Sequence, residues 1–214
     1  MNKKLVVIAL SAATLFSGVA LGLDLDPKFY VGAEADYNHH KGEKKGDLKN
    51  KSKTPITDVK SKSLLEGSHP GAGVFVGTRL SENFGVEAGA SMANKKIKNS
   101  RLNTGLGKSS LKTKNHNLYV DAMGYLPVEG DVDLIGSLGA GQLTSKVTGN
   151  VAGTALAAAE TVSLKSKKVG LRVGAGAQYK FNENVGARIM LRHQKGNKLV
   201  KNVNSAGLGL FCQF

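Results

Sequence analysis

The chain has one cysteine, Cys212, no tryptophan and four prolines among 214 residues. A lone cysteine excludes an intramolecular disulfide framework. No window shows a convincing apolar face at i, i+3, i+4 and i+7 set against a polar one, so amphipathic helices are not the building plan. Beyond Leu23 there is no run of about 18 apolar residues, which excludes a transmembrane helix from the remainder. Negative charge is scarce too: 16 Asp and Glu face 30 Lys and Arg, a formal net charge of +14. What the chain has in quantity is glycine, 27 residues, and strict alternation of unlike side chains.

The start reads MNKKLVVIALSAATLFSGVALG, with Lys3 and Lys4 before an apolar run and small residues Ala20 and Gly22 at its end. This layout predicts a cleaved signal peptide over residues 1–22, export through the Sec pathway, and one mature domain over 23–214. The competing reading is a retained anchor, since the uncharged stretch from Leu5 to Leu23 is 19 residues long. The small-residue pattern favours cleavage, no basic cluster follows to stop transfer, and no Cys near the cut offers a site for lipid.

Period two marks a strand with unlike faces. In FYVGAEADY, Phe29, Val31, Ala33, Ala35 and Tyr37 share one side, and Tyr30, Gly32, Glu34 and Asp36 share the other. The same test finds apolar faces over Ala72 to Leu80, Phe84 to Met92, Leu118 to Leu126, Val132 to Ala140, Val169 to Phe181, Val185 to Leu191 and Ala206 to Phe214. Eight strands result, most of them 9 to 11 residues long, the length that a tilted strand needs to cross a bilayer.

A soluble β-sandwich also alternates, but two features favour a membrane barrel. Connections alternate between short (81–83, 127–131, 182–184) and long (38–71, 93–117, 141–168, 194–203). That is the arrangement of periplasmic turns and extracellular loops. Phe29, Phe84, Tyr179, Phe181 and Phe214 all fall at the turn end of the apolar face, where an aromatic girdle belongs. The expected fold is therefore all-β: an eight-stranded antiparallel up-and-down transmembrane β-barrel in the outer membrane. The twin segments RLSENFGV and KFNENVGA then read as two turns with one geometric task.

With its signal, eight alternating segments and a last strand SAGLGLFCQF ending in Phe, the chain resembles the opacity-protein or surface-antigen family of small outer-membrane barrels. It is similar to the transmembrane domain of outer-membrane protein A. The resemblance covers about residues 29–214. It implies an adhesin or envelope-stabilising role, and it implies that Gly209 and Phe214 form the signal for the barrel-assembly machinery. Cys212 departs from the larger apolar residue usual at its place.

An eight-stranded barrel is only wide enough for side chains to fill. Its interior is expected to hold Glu34, Asp36, Glu87, Asp121 and Asp133 with Arg79, Arg172, Arg188 and Arg192 as a paired charge network that plugs it. A narrow porin-like channel is the alternative, because interior glycines leave room.

Residues 93–117 hold six Lys and one Arg with no acid, 38–71 hold eight Lys and four acids, and 194–203 hold three Lys and no acid. Polarity alone would not choose a sign. The excess faces outward and attracts anions in a salt-dependent way. Lys44, Lys45, Lys95, Lys96, Lys98, Arg101, Lys112 and Lys114 are the candidate contacts. Their expected partners are lipid and lipopolysaccharide of the outer membrane, or anionic glycans and glycoproteins of another cell. Nucleic acid is not expected, because these loops lack aromatics for base stacking.

No enzyme or cofactor is expected. GLGKSS at 105–110 has the tail of a phosphate-binding loop, but Leu102 stands where the first Gly is required. GSLGAG at 136–141 and GLRVGAGA at 170–177 open no helix and fit small side chains in a crowded lumen. His39, His40, His69 and His116 lie in the first two long loops, where a metal site is the minority reading because no known zinc or copper ligand spacing is present, and His193 reads as interfacial. VAGTALAAAE at 151–160 suggests a short helix or an extended hairpin in the third loop.

Overall fold

The computed structural model describes residues 27–42, 67–99, 109–128, 130–151, 160–196 and 200–214. The predicted signal segment lies outside them. Eight antiparallel strands close into one barrel in sequence order: β1 (Lys28–Gly42), β2 (Gly67–Arg79), β3 (Phe84–Asn99), β4 (Ser109–Pro127), β5 (Val132–Val151), β6 (Glu160–Lys180), β7 (Val185–Lys195) and β8 (Val200–Gln213). Closure removes the unpaired sheet edges that hydrocarbon does not tolerate.

The ladders fix the tilt. Stepping from Tyr30 through Gly77, Glu87, Asp121, Gly139, Arg172, Gln194 and Val203 returns to β1 at His40, ten residues further along. With a rise of about 3.3 Å and strands about 4.8 Å apart, that stagger inclines the strands by roughly 40°. The seam is sealed where Phe29 and Phe214 exchange backbone hydrogen bonds of 3.0 and 2.8 Å.

The two faces are inverted relative to a water-soluble protein. Val74, Phe84, Leu171, Leu191, Leu208 and Phe214 are among the many exposed apolar side chains, while Glu34, Glu87, Asp121, Arg172, Arg188 and Arg192 are buried. A continuous apolar band of this kind needs lipid around it. Phe29, Phe84, Tyr179, Phe181 and Phe214 are exposed at the short-turn end. Thr78 has the parity of the lipid face but is buried beside Phe29 and Val86 in register.

The short turns fall where the alternation stops, and the twin segments share one geometry. Leu80 and Ser81 donate their backbone N–H groups to the carbonyl of Phe84 at 2.8 and 3.1 Å, as Phe181 and Asn182 do to Val185 at 2.9 and 3.3 Å. A side-chain oxygen braces each: Ser81 Oγ accepts from Phe84 N, and Asn182 Oδ1 accepts from Val185 N. In the remaining turn Gly130 has φ 76°, a left-handed conformation that glycine tolerates best.

The long connections are shorter than the sequence suggests. β4, β5 and β6 run for 19, 20 and 21 residues, so much of 109–117, 141–151 and 160–168 is strand rather than loop. Above the membrane both faces are wet and hydrophobic alternation disappears, while the hydrogen-bond ladder continues unchanged. The expected helix or hairpin at 151–160 is confined by this to 152–159, which lies outside the described residues.

Candidate functional site: a charged lumen and a basic rim

The lumen is built around Glu87 and Arg188. Arg188 reaches Glu87 by both of its terminal nitrogens, one at 3.1 Å, and also reaches Glu34 at 3.2 Å. Arg192 grips Glu34 with contacts of 2.8 and 2.9 Å and lies 3.8 Å from Asp36. Arg172 lies 2.9 Å from Asp121. Toward the short turns, Arg79 holds Asp133 at 2.7 Å, and Gln178 donates to the same carboxylate at 2.7 Å. The expected interior acids and arginines are thus brought together as pairs.

Aromatics that the expected charge network did not include complete this layer. Tyr30 and Tyr119 donate their hydroxyls to Glu87 at 3.2 and 3.1 Å, and Tyr30 meets the Tyr125 hydroxyl at 3.1 Å. Guanidinium planes cover rings: Arg188 lies 3.4 Å from the Phe75 centroid, Arg172 3.5 Å from Tyr119 and Arg79 4.4 Å from Tyr125. Such stacking suits a planar, weakly hydrated cation. Their parity with the acids was the available signal.

Glycines make these reaches possible. Gly139 sits in register between Asp121 and Arg172, Gly209 between Glu34 and Arg188, and Gly77 between Tyr30 and Glu87. In each case the partners close over a strand that contributes no side chain. A Cβ at Gly77 would run into the Tyr30 ring, and one at Gly209 would lie 3.0 Å from the Glu34 Cβ. Gly209 therefore has a packing role in addition to the assembly role implied for it.

Apolar groups flank the charges. Leu143, Val200 and Val203 cluster on the side of the long connections, with the paired amides of Asn117 and Gln194 nearby in the lumen at 2.7 and 3.1 Å. Tyr30, Phe75 and Phe211 form one cluster and Met123, Tyr125, Ile135 and Met190 another. A cavity of about 20 Å³ borders Asp36, Arg172 and Arg192, and one of about 10 Å³ borders Arg79 and Gln178. Each is the size of a water molecule rather than of a file of waters.

The histidines do not converge. His40 and His69 lie side by side in the lumen, ring centroids 4.8 Å apart, whereas His39, His116 and His193 are exposed on the outer face. His193 Nδ1 is 2.6 Å from Asn204 Oδ1. Among the described residues no group of three His, Cys, Asp or Glu side chains is placed to hold a metal.

Of the candidate rim cations, Lys112 and Lys114 are exposed on the extension of β4. Lys95, Lys96 and Lys98 belong to β3, in register with Thr113, Lys112 and Ser110. Lys44, Lys45 and Arg101 lie outside the described residues.

A closed eight-stranded barrel, apolar outside and charged within, matches the outer membrane protein beta-barrel domain over residues 6–214. The chain belongs to this outer-membrane β-barrel family. Its place is accordingly the outer membrane. Among solved structures it is similar to a major outer membrane protein of Thermus thermophilus, at 16% identity over 88% of this chain and 99% of that one, TM-score 0.54. It is also similar to Neisserial surface protein A, at 18% identity over 87% and 97%, TM-score 0.52. A third is Ail, the attachment invasion locus protein of Yersinia pestis, solved with the heparin analogue sucrose octasulfate, at 15% identity over 90% and 100%, TM-score 0.50. These likenesses share the fold with this family member. No curated protein matches it.

Proposed function

We propose that this outer-membrane barrel is an adhesin-type surface binder, in which a plugged barrel serves as a rigid mount and basic extracellular segments recognise anionic glycans or glycoproteins of another cell. The observation that carries this reading is the β3–β4 hairpin. It continues as paired strand well past the last lipid-facing residues, and residues 93–117 hold six Lys and one Arg without an acid. Lys95, Lys96, Lys98, Arg101 and Lys112 are the contacts of choice on it. That Ail was solved with a sulfated heparin analogue supports this class of ligand.

A porin-like role is less well supported, because the lumen is crossed by ion pairs and stacked rings. The chemistry is read as binding rather than catalysis, with the lumen carboxylates occupied by arginines and tyrosine hydroxyls.

The test is binding of the refolded mature chain to immobilised heparin and to its desulfated form across a salt series. The comparison variant changes Lys95, Lys96, Lys98, Arg101 and Lys112 to Gln. Salt-sensitive binding that needs both sulfate and these cations sustains the reading. Equal binding by the variant overturns it.

A further inference from the structure

On four strands the outward face repeats one order. The last apolar residues are Tyr37 on β1, Leu118 on β4, Val169 on β6 and Leu191 on β7. Four residues further from the membrane on those strands stand Lys41, Lys114, Lys165 and Lys195. A separation of four preserves the face, because side chains alternate with period two. Lys41, Lys114, Lys165 and Lys195 are exposed. On β5, Lys146 joins them, in register between Lys114 and Lys165.

Strands inclined at roughly 40° climb about 2.5 Å per residue, so the lysines stand about 10 Å above the apolar belt. This is the depth of lipid headgroups rather than of the loop tips. The cations also point sideways from the wall, toward neighbouring lipid. A soluble polyanion approaching from outside meets the hairpin ends first.

The like-charge contacts need explaining. Lys114, Lys146 and Lys165 are consecutive cross-strand partners, with Cβ atoms about 5 Å apart at each step, where equal charges repel. The only acid in the described parts of β4, β5 and β6 beyond their last apolar outward residues is Glu160, at the far end of β6 and paired with Val151. Among the described residues no acid stands in register with these three lysines, so an anion beside the wall is a fitting counter-charge.

We infer that these lysines form a collar for the phosphate groups of lipopolysaccharide in the outer leaflet, a site separate from the β3–β4 hairpin tip and occupied by the protein's own membrane.

The collar is tested with Lys41, Lys165 and Lys195 changed together to Gln, none of them in that hairpin, and with a companion in which the same three become Arg. Each refolded barrel, its folding checked by resistance to unfolding in cold dodecyl sulfate, is titrated in micelles with bisphosphorylated lipid A, with fully dephosphorylated lipid A and with heparin. Wild type and the Arg variant are expected to prefer phosphorylated lipid A. The Gln variant is expected to lose on the order of a hundredfold in affinity for it while keeping its heparin binding. Should the Gln variant not fold, the phosphate preference of wild type and its retention by the Arg variant decide the matter. Equal affinity for the phosphorylated and dephosphorylated lipids, or a folded Gln variant that binds like wild type, overturns the collar. Loss of heparin binding alone in the hairpin variant bears on the adhesin reading and leaves the collar intact.

Discussion

Glu87 on β3 and Arg188 on β7 stand four strands apart in a ring of eight, and their side chains meet across the middle of the lumen. A contact between opposite walls holds the circular cross-section as well as neutralising two charges. Removing one partner leaves a buried charge unmatched. Arg188→Met is expected to lower stability by about 3–5 kcal/mol. Adding Glu87→Gln should restore much of that loss, because Glu34 keeps its contacts with Arg192. Urea unfolding of the refolded barrels in micelles, run as a double-mutant cycle, measures both effects.

Two glycines three residues apart on β5 should respond oppositely to alanine. At Gly139 a Cβ meets the Val120 carbonyl and the Asp121 side chain, whereas at Gly136 no atom lies within 4 Å. Gly139→Ala should cost about 1–3 kcal/mol by pushing Asp121 away from Arg172. Gly136→Ala should gain about 0.5–1 kcal/mol by restricting the unfolded chain. Similar effects at both sites would show that the lumen is looser than this packing implies.

The faces and the interior charges were legible in the sequence because lipid on one side and a crowded lumen on the other impose a strict period of two. Glu34, Asp121 and Arg172 could be assigned inward from their neighbours' parity alone. The length of β6 could not: past Val169 the residues Lys165 and Lys167 face water on a wall whose other side is also polar, so nothing in their hydropathy distinguishes strand from loop. Tyr30 was legible as inward by the same parity, but its hydrogen bond to Glu87 was not, because that contact passes over Gly77 on the strand between them and parity does not set the register.

Phe214 offers a separation of assembly from stability. Its backbone exchanges hydrogen bonds with Phe29, and Phe214→Ala leaves those groups in place. Refolding in detergent should therefore change little. If the terminal ring is read by the assembly machinery, the same variant expressed in cells should reach the outer membrane in much smaller amounts. Immunoblots of membrane fractions, set beside refolding yields, distinguish the two.

The lumen predicts electrical behaviour. With Arg188 engaging Glu34 and Glu87 and with Leu143, Val200 and Val203 clustered on the side of the long connections, the protein should show no sustained unitary steps in planar bilayers. Regular steps from wild-type protein would restore the channel reading.

The seam between β1 and β8 carries a further consequence. Every other ladder joins strands that follow one another in the chain, but this one joins the first strand to the last, with Phe29 hydrogen-bonded to Phe214. The cylinder therefore cannot close until its C-terminal strand is available, and until then β1 presents an open edge of the kind that templates aggregation. Synthesis and export deliver β1 well before β8. A chain stalled partway through secretion would remain adhesive along its leading strand, so holding chaperones in the periplasm should matter most during that interval.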